Sequence, residues 1–310
     1  MNELKPINQT KLYGLSIFLD KFIELYKNQK FPNKILLSGQ KGIGKSTLAY
    51  HFINYVLSDK QEYKYDLENL EINFENQSYK TILNGSNPNF YLIDVSPEKK
   101  FIDINQIREL ISKLNKSSFN KCPRFVLIDN IEFLNKNSIN ALLKTLEEPS
   151  MDIYFILIHN NKKILPTLLS RCINYKIHLT HKESLIISDK LLNGKLDKII
   201  NKDLLNYYST AGNIYNIAKF ANENNYDLSD KNLKDLLKII IKENFYKKNN
   251  TIKHLIFDFI ELYLSKINYT INSSIDDKYG YFLKRISDTK RFNLDNDSLF
   301  IEFEEKILNE

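Results

Sequence analysis

Residues 39–46, with the sequence GQKGIGKS, have the types and spacing that bind phosphate groups. This segment, the phosphate loop, fits the pattern G-x-x-x-x-G-K-[ST] in full and follows a short apolar run. In such a loop the main-chain N–H groups surround phosphate oxygens, and the N-terminus of the following helix adds partial positive charge. The pattern predicts that Lys45 reaches the β- and γ-phosphates of a nucleotide and that the Ser46 hydroxyl group binds Mg²⁺. The predicted phosphate-binding residues are Gly39, Gln40, Lys41, Gly42, Ile43, Gly44, Lys45 and Ser46.

An acidic residue at the end of a neighbouring strand is needed to hold Mg²⁺ in such a site. Asp129 follows the apolar residues 125–128 and is predicted to be that acid. Many ATPases place a glutamate directly after this aspartate, where it positions the attacking water. Here the next residue is Asn130, whose amide is not a base, and Glu132 lies at a different place on the turn. The pattern therefore predicts magnesium binding but inefficient hydrolysis of the nucleotide.

The elements that must position these residues alternate along the first half of the chain. Short apolar runs, typical of buried parallel strands, are separated by segments with helical spacing. This alternation predicts βαβ units and a parallel sheet. The predicted strands are 34–38, 90–95, 124–129 and 153–158, and the predicted helices are 46–58, 103–115 and 137–147.

The rest of the chain has a different character. Residues 60–80 are polar and irregular, which predicts an exposed insertion. The seven prolines all lie within the first 166 residues, and apolar residues recur at helical spacing after residue 178. Gly212 is predicted to separate helices near 200–208 and 213–222. The second part of the chain is therefore expected to be helical.

Two segments resemble a known family. NALLKTLEEP at 140–149 and LPTLLSRC at 165–172 are similar to motifs of the bacterial clamp-loader subunits, which are AAA+ proteins. Among these the chain most resembles the delta-prime type. Its 129–132 segment reads Asp-Asn-x-Glu instead of Asp-Glu, and NPNF at 87–90 precedes INQIREL at 104–110.

The resemblance of motifs covers residues 10–180 and implies a fold. The expected fold is an α/β P-loop AAA+ domain, a parallel sheet flanked by helices, followed by a small helical lid and an all-helical collar. The domain boundaries implied are 1–178, 179–226 and 227–310, and the collar is expected to serve in oligomerisation.

The resemblance also implies roles for individual residues. It extends the nucleotide loop to Thr47 and places Asn160 at the sensor position after the fourth strand, where a polar side chain reads the γ-phosphate. Arg171 corresponds to an arginine finger that acts in trans on ATP held by a neighbouring subunit, because a planar guanidinium stabilises the transferring phosphoryl group. Motor subunits of the family carry an arginine in the lid helix where this chain has Tyr215. Together with Asn130, this difference predicts weak or no ATPase activity of the chain alone.

The function implied by the resemblance is that of a stator subunit in the clamp loader of DNA polymerase III. It would bind ATP or ADP with Mg²⁺ and assemble with gamma/tau and delta subunits in a hetero-oligomeric ring. Through that complex it would meet the sliding clamp and primer–template DNA during DNA replication, with polymerase activity lying in other subunits. The alternative is a catalytically active gamma/tau-like motor subunit, which steady-state ATPase measurements distinguish.

Composition excludes several other classes of protein. The net charge is +6, from 44 basic and 38 acidic residues, which is mild for a direct nucleic-acid binder. Cys122 and Cys172 lack CxxC spacing, so the four-cysteine zinc module of many relatives is not expected. No apolar run is long enough to span a membrane and the N-terminus lacks an apolar signal core, so a cytoplasmic location is expected.

Overall fold

The computed structural model describes residues 4–96, 99–116, 120, 122–147, 152–161, 164–206, 209–248, 250–268, 274–292 and 294–309. All predicted site residues fall within these ranges, whereas Glu148 and Pro149 of the NALLKTLEEP motif lie outside them. The chain divides into two compact units, Asn2–Glu183 and Ser184–Glu310. The predicted division into three domains at residues 178 and 226 stays a prediction.

The first unit is built on a five-stranded parallel sheet with the strand order β2-β3-β4-β1-β5. The four predicted strands are present, and a fifth strand was not predicted from the sequence. That strand has the sequence INYK. Its side chains are largely exposed, so the segment has no apolar pattern, and main-chain pairing with β1 makes it a strand. The strands are β1 Lys34–Ser38, β2 Phe90–Ile93, β3 Arg124–Ile128, β4 Ile153–His159 and β5 Ile173–Lys176.

Helices cover both faces of the sheet because consecutive strand residues point to opposite faces. On one face Ile35 and Leu37 belong to the same apolar core as Phe22 of α1 and Phe52 of α2. On the other, Leu36 shares a core with residues of α4 and α5. The helices of this unit are α1 Ser16–Lys27, α2 Lys45–Ser58, α3 Gln77–Leu83, α4 Ile104–Leu114, α5 Lys136–Glu147 and α6 Pro166–Leu169.

The prediction that residues 60–80 form an exposed insertion is wrong for a good part of this segment. Tyr65, Ile72 and Tyr79 are buried in the core beside α2, and α3 begins within this segment. Its buried polar groups are hydrogen-bonded: the Asn54 amide donates to Asn76 Oδ1 at 3.1 Å. A polar segment can be buried when its polar groups find such partners, which composition alone does not reveal.

His51 on α2 ties this segment to the rest of the unit. Its side chain is fully buried, with Nε2 2.9 Å from the Gln9 carbonyl oxygen and Nδ1 2.8 Å from the Tyr65 hydroxyl. Neutral imidazole satisfies both bonds, donating from Nε2 and accepting at Nδ1. Burial lowers the pKa of His51 from 6.5 to about 4.

This lowered pKa predicts a loss of stability in mild acid. Between the unfolded pKa of 6.5 and the folded value of about 4, the unfolded chain binds a proton that the folded chain does not. We therefore expect His51 to lower the free energy of unfolding by about 3 kcal/mol as the pH falls through this window. Urea unfolding of the full chain from about pH 7 to about pH 4 measures it. His51→Gln, which cannot titrate, should give a shallower pH dependence; equal slopes would contradict the prediction.

The second unit is helical, as predicted. Its helices are α7 His181–Leu192, which begins just before the unit boundary, α8 Ala211–Glu223, α9 Leu233–Lys242, α10 Phe245–Lys248, α11 Asn250–Asn268, α12 Ser274–Phe292 and α13 Asn296–Phe303, followed by a π-helical turn over Glu304–Leu308.

Two local predictions for this unit are wrong. The predicted helix at 200–208 is only a 3₁₀ turn at Lys202–Leu204 in the residues described there, and Gly212 lies inside α8 instead of before it. The Thr210 hydroxyl accepts from the Asn213 N–H, so the helix begins at Ala211 with Gly212 in its first turn. None of the helices in the described part of the chain has the length and apolar character needed to cross a membrane.

Candidate functional site

The phosphate loop lies at the carboxyl edge of the sheet, where it joins β1 to α2. Two of its glycines are required by the backbone. A Cβ atom at Gly39 would lie 2.3 Å from the Ile177 carbonyl oxygen, and Gly44 has a left-handed φ of 92°. Because Gly44 is followed directly by α2, the free N–H groups of the first helical turn face the loop. Leu48 and Phe52, both fully buried, hold α2 against the sheet and so fix this end of the helix.

Lys45 is the buried cation of the site. Its side-chain Nζ donates to the carbonyl oxygens of Gly39 and Gln40 at 3.0 and 2.6 Å, and to Asn160 Oδ1 at 2.9 Å. Burial lowers the pKa of Lys45 to about 8, against the opposing effect of the Asp129 and Glu132 carboxylates. The ammonium group is therefore poorly solvated and surrounded by oxygen atoms, which is the environment of a group that binds an anion.

Ser46 and Asp129 meet although 83 residues separate them in the sequence. The Ser46 hydroxyl donates to Asp129 Oδ2 at 2.5 Å. Burial raises the pKa of Asp129, and the hydrogen bond from Ser46 opposes that rise. A hydroxyl and a carboxylate beside an anion-binding loop are oxygen donors of the kind Mg²⁺ prefers, so these residues fit a magnesium nucleotide. In the described ranges no three His, Cys, Asp or Glu side chains group to hold a metal ion by themselves.

Asn160 lies at the end of β4 and connects Lys45 to the turn after β3. Its Nδ2 donates to Asn130 Oδ1 at 2.8 Å and to Glu132 Oε1 at 3.1 Å. Asn130, in a left-handed conformation with a φ of 54°, donates through its own Nδ2 to Asp94 Oδ1 at 2.8 Å. Sequence reasoning assigned no role to Asp94 or Glu132. The position of Asp94 directly after β2, next to β3 in the sheet, was the available signal.

Arg171 is not bonded to this site. In the described structure its Nη1 donates to the Thr167 carbonyl oxygen at 3.0 Å and its Nη2 pairs with Glu147 Oε1 at 2.6 Å. The side chain is 31% exposed. Tyr215, predicted to replace a lid arginine, is buried in α8 of the second unit.

A pocket of about 710 Å³ adjoins the phosphate loop. Its volume is in the range of pockets that bind small molecules. His159, at the end of β4, lines it, and the His159 Nδ1 atom is buried without a hydrogen-bond partner in the described structure. Other lining residues include Gly39, Gln40, Ile43, Lys176 and His178.

Comparison with known proteins identifies the family. The sequence profile described as "DNA polymerase III, delta subunit" matches residues 15–181. The chain belongs to this DNA polymerase III delta subunit family. Membership confirms the resemblance to clamp-loader subunits that the NALLKTLEEP and LPTLLSRC motifs predicted.

The curated proteins that this chain resembles are also named as DNA polymerase III subunits. The chain is 32% identical over 139 residues to the DNA polymerase III subunit delta' of Pseudomonas aeruginosa, over 44% of this chain and 40% of the relative. It is 29% identical to the delta' subunit of Buchnera aphidicola subsp. Schizaphis graminum, over 53% of this chain and 49% of the relative. The gamma subunit of the same Buchnera is 28% identical over 58% of this chain and 48% of the relative. The chain thus spans about half the length, or less, of these relatives.

A solved structure supports the predicted fold class. A DNA polymerase III gamma subunit-related protein from Thermotoga maritima matches with a TM-score of 0.50 and 19% identity, over 91% of this chain and 97% of that one. Together with the five-stranded parallel sheet and the helical second part, this match confirms the predicted α/β fold, a parallel sheet flanked by helices and followed by further helices.

Proposed function

We propose that this chain is a delta-prime-type subunit of the DNA polymerase III clamp loader that binds ATP or ADP with Mg²⁺. The observation that carries the proposal is the convergence of Lys45, Ser46, Asp129 and Asn160 at one edge of the sheet in a member of the delta subunit family. Lys45 would bind the phosphates, and the residues from Gly39 to Thr47 would surround them. Ser46 and Asp129 would hold Mg²⁺, with nucleotide oxygens completing its coordination.

Hydrolysis at this site would be slow. The carboxylate that positions water in efficient ATPases has no counterpart at Asn130, whose side chain is engaged with Asp94 and Asn160. Tyr215 would bring no positive charge to the γ-phosphate. The chain would therefore act as a stator and give Arg171 to the ATP site of a gamma/tau neighbour, while the sliding clamp and primer–template DNA are bound by the complex.

The second candidate is a gamma/tau-like motor subunit that hydrolyses ATP itself. It is favoured by the similarity to a gamma subunit, which extends over more of this chain than the similarity to the delta' subunits does. Steady-state ATPase of the purified chain, alone and with loader partners and DNA, separates the two. A stator should hydrolyse little alone and should leave the rate of the complex intact when its own Lys45 is replaced.

Assembly with partners tests the proposal for the whole chain. We propose that residues 227–310 form a collar for oligomerisation, after a lid at 179–226 and the AAA+ domain at 1–178. The full chain is expected to co-purify with gamma/tau and delta subunits, whereas a chain ending at Tyr226, directly before the proposed collar, should not. Size-exclusion chromatography with light scattering measures this, and thermal unfolding checks that the truncated chain is folded. A truncated chain that still enters the complex would contradict the proposal that residues 227–310 serve in oligomerisation.

A further inference from the structure

The side chains of Asp94, Asn130, Asn160 and Glu132 form one hydrogen-bonded row beside Lys45. Asn130 Nδ2 donates to Asp94 Oδ1 at 2.8 Å. Asn160 Nδ2 donates both to Asn130 Oδ1 at 2.8 Å and to Glu132 Oε1 at 3.1 Å. Asn160 also contacts the lysine: its Oδ1 atom accepts a hydrogen bond from Lys45 Nζ at 2.9 Å. A carboxylate therefore stands at each end of the row: two amides separate Asp94 from Lys45, and one amide, Asn160, separates Glu132 from Lys45.

The carboxylates fix which way both amides face. An ionised carboxylate only accepts hydrogen bonds, and an amide has one accepting and one donating end. Asp94 therefore takes the NH₂ group of Asn130, which leaves the Asn130 oxygen facing Asn160. That oxygen and Glu132 together use both N–H groups of Asn160. The Asn160 oxygen is left facing Lys45, where the ammonium group, which only donates, requires an acceptor.

This orientation is the wrong one for reading a phosphate. Phosphate oxygens accept hydrogen bonds, so an asparagine that senses the γ-phosphate must present its NH₂ group. Turning Asn160 would set its oxygen against the Asn130 oxygen and the Glu132 carboxylate, with no donor between them. In a partly buried site such unpaired acceptors are strongly unfavourable.

We infer that Asp94 and Glu132 keep the site from distinguishing ATP from ADP strongly. They do so by making Asn160 a positioning residue for Lys45 instead of a donor to the terminal phosphate. The inference rests on the proposed nucleotide site and replaces the γ-phosphate-reading role expected for Asn160. Asn160 then contributes equally to the binding of nucleoside diphosphates and triphosphates, and the site distinguishes the two only weakly.

Asn160→Ala provides the first test, with ADP·Mg²⁺ and ATP·Mg²⁺ affinities of the full chain measured by titration calorimetry. The variant should weaken both by the same factor, about 3- to 10-fold, because Lys45 loses one acceptor whichever nucleotide is bound. A loss confined to ATP would show that Asn160 donates to the γ-phosphate and would overturn the inference. A wild-type chain that binds neither nucleotide would instead refute the proposed site itself.

The second test releases both amides. In the double variant Asp94→Asn with Glu132→Gln, each outer side chain can donate, so Asn130 and Asn160 can turn once Lys45 donates to a bound phosphate, and the Asn160 NH₂ group can then face that phosphate. The ratio of ATP to ADP affinity should rise about tenfold in the double variant. It should stay near the wild-type value in each single variant, because the remaining carboxylate still fixes one amide. Circular dichroism confirms folding, and a folded double variant with an unchanged ratio would overturn the inference.

Discussion

Lys45→Ala is expected to weaken the binding of ATP·Mg²⁺ and ADP·Mg²⁺ by about 100-fold or more. The reason is that Lys45 is the buried cation of the loop, and its ammonium group already lies among the oxygens of Gly39, Gln40 and Asn160. Titration calorimetry of the full chain measures the affinity. Lys60→Ala is the control, because Lys60 is exposed and lies beyond the far end of α2 from the loop, and its loss should change the affinity only slightly. Equal affinities of the wild-type chain and Lys45→Ala would show that the loop is not a working site.

The same lysine predicts how nucleotide binding depends on pH. Its pKa is lowered to about 8, so the ammonium group loses its proton as the pH rises through that value in the nucleotide-free chain. A bound phosphate favours the charged form, and binding above about pH 8 must therefore take up a proton. We expect wild-type affinity to fall by at most about tenfold per pH unit between about pH 8 and about pH 9.5. Lys45→Ala should show no such fall, which assigns the effect to this group.

Arg171→Ala is expected to act on a neighbouring subunit and not on the chain that carries it. Arg171 is bonded to Glu147 and to the Thr167 carbonyl, away from Lys45 and Asp129, so nucleotide binding by the isolated chain should be unchanged. In the assembled loader, loss of the proposed arginine finger should slow hydrolysis at one neighbouring site by about 10³–10⁵-fold. Because other sites keep working, the total DNA-stimulated ATPase should fall only in part. Single-turnover measurements on loaders with one functional site isolate the affected subunit.

Two further variants make this test specific to Arg171. Arg171→Lys should not restore the rate, because an ammonium group lacks the planar fork of a guanidinium. Arg108→Ala removes an exposed arginine from α4 and should leave assembly and ATPase unchanged. If Arg171→Ala leaves the ATPase activity and clamp loading of the assembled loader unchanged, the proposed stator function loses its chemical support.

Features that depend on contiguous residues could be predicted from the sequence. The phosphate loop is one, because a short segment contains its glycines, lysine and serine, and local backbone conformation shapes it. The strands of the sheet interior are another, because β1, β3 and β4 are buried on both faces and read as continuous apolar runs. Strand β5 escaped prediction for the opposite reason: its side chains are mostly exposed, and only pairing with β1 makes it a strand.

Only the tertiary structure brought Asp94 and Glu132 to the predicted site residues Asp129 and Asn160. Asp94, Asp129 and Asn160 follow three different strands, and they converge because parallel neighbouring strands end at the same edge of the sheet. Periodicity identifies the strands but not their order, so the position of Asp94 after a predicted strand did not by itself place Asp94 beside Asn130. Burial of the 60–80 segment likewise depends on hydrogen-bond partners from elsewhere in the chain, because a polar side chain can be buried when a distant group satisfies its hydrogen bonds. Residues that are adjacent in the chain establish the chemistry of the phosphate loop, whereas the packing of separate strands establishes the acceptors and donors that surround the loop.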